Sequence, residues 1–230
     1  RLLAEGRADE ALAALSVPNA TLPPRGLRLQ AEALSAAGRA SDALNLLPAL
    51  KREQAVDADG LLALEARYSA AALAQSTQAD GLLQRWRALP GRLQQRADVV
   101  AAFARRAAAL GLEDEGLQAV AGALDAGWDE SLAALYGELP AGRGEPRLAR
   151  AEAWLAKHPA SPGLLMTMGR LAQGVAAEDF LHRAIAQGGG AAAWEALGGL
   201  FAARADERAA IAYANALRLG RGEAPLSLGG

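Results

Sequence analysis

The 230-residue chain has no cysteine and only two histidines, His158 and His182. The first absence excludes disulfides, zinc–thiolate sites, iron–sulfur ligation and thiol nucleophiles, and it leaves the redox compartment open. The second argues against a multi-histidine metal site and a Ser/His/Asp triad. No phosphate loop, G-x-G-x-x-G, H-E-x-x-H or G-x-S-x-G stretch is present. Aromatic residues make up 4%, and Val, Ile and Thr together number eleven, too few β-branched side chains to furnish a sheet. No uncharged apolar run reaches the roughly 18 residues of a membrane-crossing helix; the Gly- and Ala-rich stretch 184–194 ends at Glu195. No signal peptide is visible. The formal net charge of −2, with both signs interspersed, argues against general nucleic-acid binding, which needs a basic excess on one face.

What remains is mostly alanine and leucine, within a 52% hydrophobic fraction, and the other common residues (Glu, Gln, Arg) are also strong helix formers. The composition predicts an all-α protein. Three segments share one pattern: GRADEALAAL (6–15), GRASDALNLL (38–47) and GLEDEGLQAV (111–120). Each has a turn glycine, a polar helix start and a small residue five positions on. That small residue recurs as Ala11, Ala43, Ala79, Gly116, Ala151, Ala177 and Ala209, at intervals of 32, 36, 37, 35, 26 and 32. Four residues beyond each lies an apolar side chain: Leu15, Leu47, Leu83, Val120, Leu155, Leu181 and Tyr213.

The last unit, Trp194-x2-Leu197-Gly198-x2-Phe201 followed by Ala209-x3-Tyr213-x2-Ala216, resembles the tetratricopeptide pattern, one residue short in the turn. The resemblance implies a right-handed α-solenoid of about six to seven helix pairs. Ala43, Ala151, Gly169, Trp194, Gly198, Ala209 and Tyr213 are then packing residues between paired helices. The stretch AEAWLAKHPASPGLLMTMGRLA (151–172) joins two units. Lys157 and His158 complement a helix C-terminus, Pro159 stops that helix, and Ser161-Pro162 caps and opens the next. Pro24 and Pro146 suit the same starting role. The eight residues from Gly169 to Ala177, where twelve are usual, predict a distorted turn around 173–176. No domain boundary stands out. The softest places are 51–60, 141–145 and 188–190, so residues 1–219 read as one repeat domain that starts mid-repeat, and 220–230 as a disordered tail.

Three segments between 82 and 172 carry a narrower resemblance: LLQRWRALPGRLQQRADVVAAFARRAAALG, ALDAGWDESLAALYGEL and AEAWLAKHPASPGLLMTMGRLA. In that order they look like the C-terminal portion of the proteobacterial HemY family. The resemblance implies the soluble part of an inner-membrane protein, anchored by two N-terminal membrane helices and facing the cytoplasm. A chain that begins at Arg1 without Met fits a fragment lacking that anchor. It also implies a non-catalytic scaffold in late haem and porphyrin biosynthesis, whose partners are haem-biosynthetic enzymes. The alternative is a tetratricopeptide adaptor in another envelope pathway, such as cell-wall or lipopolysaccharide assembly.

No catalytic residue, metal site or cofactor is expected. Met166 and Met168 read as core filling, and Glu113-Asp114-Glu115 as an acidic first turn set against a helix dipole. His182 reads as exposed. His158 is the better placed of the two for an axial haem ligand, but haem or porphyrin binding is not favoured, because neither histidine lies in an apolar cleft by sequence. Arg28, Arg105 and Arg170 each fall on the first helix of a pair, beside its packing residues. They are the candidate groove residues, suited to carboxylates of an acidic peptide or of porphyrin propionates.

Overall fold

The computed structural model describes residues 1–15, 22–142, 146–172 and 174–228, which are helical with no strand among them. It divides into two compact units, 1–119 and 120–230. The divide falls inside a helix rather than in any of the Gly- or Pro-rich stretches that look soft in the sequence.

The first unit contains a short 3-10 turn (Leu2–Glu5), then α1 (Ala8–Leu15), α2 (Pro24–Ala36), α3 (Ala40–Asn45), α4 (Leu47–Arg52), α5 (Ala58–Ala74), α6 (Ala79–Ala88), α7 (Gly91–Gln94) and α8 (Ala97–Ala109). Next comes α9 (Glu113–Ala126), which crosses the divide. The second unit continues with α10 (Glu130–Glu138), α11 (Arg147–Leu155), α12 (Pro162–Leu171), α13 (Gly174–Ala186), α14 (Gly190–Ala203) and α15 (Arg208–Gly220).

The glycines that open the three similar segments share one conformation. Gly6, Gly38 and Gly111 have φ of +74°, +77° and +75°, the left-handed region that ends a helix cheaply only at glycine. The polar residues behind them start the next helix, and the acidic trio 113–115 forms the first turn of α9. Side-chain caps open three others. Asp57 accepts the Gly60 N–H at 2.8 Å, Asp129 the Leu132 N–H at 2.9 Å and Ser161 the Leu164 N–H at 3.1 Å. Pro24 and Pro162 stand in the first turns of α2 and α12, whereas Pro146 precedes α11 as its N-cap residue. The stop at 157–159 is as the sequence suggests, with α11 ended by Leu155 and α12 begun at Pro162. The turn after Gly169 is short, since α12 ends at Leu171 and α13 starts at Gly174; Gln173, the start of the expected distortion, lies outside the described residues.

In the first unit one core gathers Ala31, Leu34, Ala43, Leu50, Leu64 and Tyr68. A second gathers Ala66, Leu73, Leu82, Val99 and Phe103, with Trp86 stacked on Phe103 at 4.2 Å. The second unit is built around α12, whose residues Gly163 to Gly169 are all buried, so Met166 and Met168 are both interior although two positions apart. α10 and α13 both pack on α12, and α13, α14 and α15 succeed one another through Leu181, Trp194, Leu197 and Phe201.

Small residues set the spacing of these helices. Ala43 and Ala151 are fully buried. A Cβ added at Gly169 would lie 2.5 Å from Leu181 Cγ, and one at Gly198 would lie 2.9 Å from Tyr213 Cδ1. The α10 and α12 helices also meet closely at Gly163, where a Cβ would run into the Glu130 carbonyl oxygen, and at Gly137, where one would meet Thr167 Cα at 2.7 Å. Trp194 is buried beside Leu197, and Ala209 is only half-buried at the edge of that core. The Tyr213 ring packs over Gly198, and the residue remains 40% exposed.

The segment after Gly220 also departs from expectation. Composition predicts a frayed tail, yet the backbone of Leu226 is held by both ends of the buried Asn215 amide, and Leu228 packs on the α13–α15 core. Gly229 and Gly230 lie outside the described residues.

Candidate functional site

Of the three arginines singled out by the helix pattern, Arg28 lines an open cavity. It projects from the first half of α2 toward the α4–α5 loop and the first turns of α5, which together line an open depression of about 810 Å³. The lining includes Arg28, Gln54, Val56, Asp57, Gly60, Leu64 and Arg67.

Each element arrives there for a local reason. The α2 helix opens at Pro24, which places Arg28 and Glu32 one turn apart on one face, and the two pair at 3.1 Å. Pro48 in the first turn of α4 separates that helix from α3. Two residues beyond the end of α4, Gln54 is a non-glycine residue at φ +50°. That left-handed turn costs about 1–2 kcal/mol for a residue with a Cβ. It is closed by Gln54 N–H to Lys51 C=O at 3.2 Å and Ala55 N–H to Leu50 C=O at 3.0 Å, and it turns the chain along the cavity rim. Asp57 then caps α5 with one carboxylate oxygen on Gly60 N–H, and its negative charge remains in the cavity lining.

On α5, Leu64 forms the apolar floor and Arg67 stands beside the buried Tyr68. The Arg67 Nη2 donates to the Tyr68 hydroxyl at 3.2 Å, with the guanidinium carbon 5.0 Å from the ring centroid. Burial pushes the Tyr68 phenol above its ordinary value, against the opposing pull of Arg67, so it stays neutral at physiological pH. The cavity therefore presents two guanidinium groups from two helices beside the Asp57 carboxylate, with Glu32 paired to Arg28 and Leu64 as an apolar floor. Such a surface suits a carboxylate or another oxyanion carried on a partly apolar body.

The other two arginines stand elsewhere. Arg105 is exposed on α8 and has no ion pair or hydrogen bond among the described residues. Arg170, in the second unit, is committed to the α10–α12 crossing, with Nη2 3.3 Å from Glu138 and Nη1 3.5 Å from Ala134 C=O. Arg67 has no position in the repeat pattern that marks it, and the sequence reading passed over it.

A second cluster lies in the second unit. The His158 ring stacks on Trp128 at 3.8 Å and 10°. Trp154 meets Trp128 and Tyr136 edge-on at 6.0 and 4.9 Å. The Trp154 indole N–H donates to Asp125 at 2.8 Å. Glu130 ties the cluster together, since Oε1 accepts from the Trp128 indole at 2.8 Å. Its Oε2 accepts from the Ser161 hydroxyl at 2.7 Å and Gly163 N–H at 2.9 Å. His158 is thus held by ring stacking beyond the helix end, in addition to the charge role its position suggests. All these polar groups are used in joining α9, α10, α11 and α12, and the cluster reads as a structural joint. His182 is exposed on α13, 3.7 Å from Glu178, which also pairs with Arg204 and Arg208.

Among the described residues no group of three or more His, Asp or Glu side chains is placed to hold a metal ion, and no helix is long and apolar enough to cross a membrane. No protein-family model, curated protein or solved structure matches the chain.

Proposed function

We propose that the protein is a non-catalytic binding module of the helical-repeat kind, and that the Arg28–Arg67 cavity receives a carboxylate-bearing partner, most simply an acidic peptide. The observation that carries this reading is the convergence of two guanidinium groups, from α2 and α5, on one cavity of about 810 Å³ with an apolar floor. Recognition by partly desolvated arginine pairs contributes about 1.5–3 kcal/mol per contact, and much less where the contact stays fully wet.

The motif order over residues 82–172 supports a wider setting: the soluble portion of a HemY-like inner-membrane protein, built as a solenoid, facing the cytoplasm and gathering enzymes of late haem biosynthesis. That setting rests on the quoted motifs alone. Pull-down of the membrane-anchored full-length protein should enrich haem-pathway enzymes; enrichment of cell-wall or lipopolysaccharide enzymes instead would reject it.

The cavity is tested by titrating a fluorescein-labelled acidic peptide into wild type, Arg28→Ala, Arg67→Ala and Arg170→Ala. Loss of either cavity arginine should weaken binding about tenfold, equivalent to about 1.4 kcal/mol, and reduce the salt dependence of the remainder. Melting temperature should change little. Arg170→Ala should leave peptide binding intact and lower stability, because its guanidinium bridges α10 and α12. Unchanged affinity in the Arg28→Ala/Arg67→Ala double variant removes the proposal.

A further inference from the structure

The face of α15 that holds residues 223–228 has the features of a peptide-binding surface. Asn215 is fully buried on a helix face otherwise made of Ala212, Ala216 and Leu219. A buried amide on such a face is costly unless both its donor and its acceptor are used. Here both go to a single residue. Asn215 Nδ2 donates to Leu226 C=O at 2.9 Å, and Leu226 N–H donates to Asn215 Oδ1 at 2.6 Å.

This is the pairing an adjacent β-strand would offer, made by one side chain, and it reads backbone rather than side chain. The Leu226 side chain is 47% exposed and takes little part. Selectivity comes from the flanks. Three residues earlier, Glu223 pairs with Arg218 at 3.0 Å, while Arg218 Nε donates to Ala224 C=O at 2.8 Å. Two residues later, Leu228 supplies the apolar contact with the core. Pro225 keeps the connecting backbone extended.

The clasped segment is exposed from Glu223 to Ser227, and only Leu228 is half-buried. Its hold includes the backbone pair with Asn215, the Glu223–Arg218 ion pair, the Arg218–Ala224 hydrogen bond and the Leu228 contact, all of which a foreign segment with the same groups can make, whereas Glu223 N–H to Arg218 C=O at 2.9 Å belongs to the end of α15 itself. We propose that this face of α15 is an acceptor for an extended segment of a partner protein. The segment carries an acidic residue, a backbone free to pair three positions later and an apolar residue two positions beyond that. In the resting chain, residues 223–228 occupy the site in cis. A short connection gives the internal segment an effective concentration in the millimolar range, so an outside peptide must displace it.

The test uses the full chain. Leu226→Pro removes the N–H that Asn215 Oδ1 accepts and unseats the segment while leaving the helices untouched. A fluorescein-labelled peptide Gly-Glu-Ala-Pro-Leu-Ser-Leu is titrated by anisotropy into wild type, Leu226→Pro and Asn215→Ala/Leu226→Pro, with far-UV circular dichroism checking each fold. Leu226→Pro should bind at least tenfold more tightly than wild type. The double variant should lose that gain, and so should a peptide with Lys in place of Glu. Equal binding by wild type and a folded Leu226→Pro, or binding indifferent to Asn215, overturns the proposal. Sedimentation of the wild type should show a monomer; a dimer abolished by Leu226→Pro would give the site to a second copy and overturn the foreign partner.

Discussion

At the scale of single residues the interior is made of small side chains with few polar atoms, and each buried polar atom is informative. Thr167 spends its hydroxyl on Ala133 C=O across the α10–α12 crossing, and Ser76 donates to Ala72 C=O one turn back. Ser69 does neither. Its Oγ is buried in α5 without a hydrogen-bond partner among the described residues. Ser69→Ala removes that desolvated hydroxyl and improves helix propensity, so it should stabilise the protein by about 1 kcal/mol. A shift of the urea midpoint to higher concentration with unchanged slope would show it. A midpoint that falls would mean the hydroxyl has a solvent partner worth more than its burial costs.

At the scale of the element, helix ends carry much of the specification, and they are also what the sequence shows best. The restart at Ser161-Pro162 and the glycines at 6, 38 and 111 are legible because a cap or a left-handed turn is a local requirement with its own residue types. The depth of each helical residue is less legible. The apolar residue four places after each small anchor is deeply buried at Val120 and Leu181, but in α6 and α11 the residue three places on, Leu82 or Trp154, is deeper. Which of the two turns inward depends on the neighbouring helix, and no local pattern encodes that. The same reason explains why Arg28 was found and Arg67 missed, and why the Trp128–His158 stack, joining residues 30 positions apart (158 − 128), left no trace in spacing.

One cap has a consequence on the acid side. Asp129 accepts from the Ser131 hydroxyl and from backbone N–H groups, which hold its carboxyl below the ordinary value. A group with a depressed folded value contributes stability above the unfolded pKa, about 3.9 for aspartate, and loses it as pH falls through the folded value. Melting temperature should therefore drop as pH falls below about 4, and Asp129→Asn, which keeps the cap without the charge, should show a shallower drop. An identical acid profile for the two proteins would assign the acid sensitivity to other groups, such as Asp98 beside Arg96.

At the scale of the whole molecule, the chain divides at residue 119 into two compact units, and α9 runs through the divide with Leu117 buried before it and Val120, Ala121 and Leu124 buried after it. Gly116 of α9 lies against Ala104 in the first unit, while Asp125 of the same helix binds Trp154 in the second. Each unit should therefore fold alone if it keeps all of α9. Separately expressed 1–126 and 113–230 should each melt cooperatively by circular dichroism. Fragments cut at 119/120 should melt lower, by the loss of about 1.5–3 kcal/mol for each buried side chain of α9 that goes missing. Complete fragments that melt without cooperativity would show that the cores are not self-sufficient.

Much of this interior is alanine: Ala31, Ala43, Ala66, Ala104, Ala133, Ala151, Ala184 and Ala212 all lie where helices meet, fully screened from solvent. That has a genetic consequence. Every alanine codon begins with GC, so a single base change yields only Val, Thr, Ser, Pro, Gly, Asp or Glu. In such a seam Val and Thr overfill the space, Ser and Thr bring in a hydroxyl, Asp and Glu a charge, Pro breaks the helix and Gly loosens it. Random mutagenesis should thus find these positions less forgiving than the leucines around them, which reach Val, Ile, Met or Phe in one step, and an alanine scan would pass over them in silence.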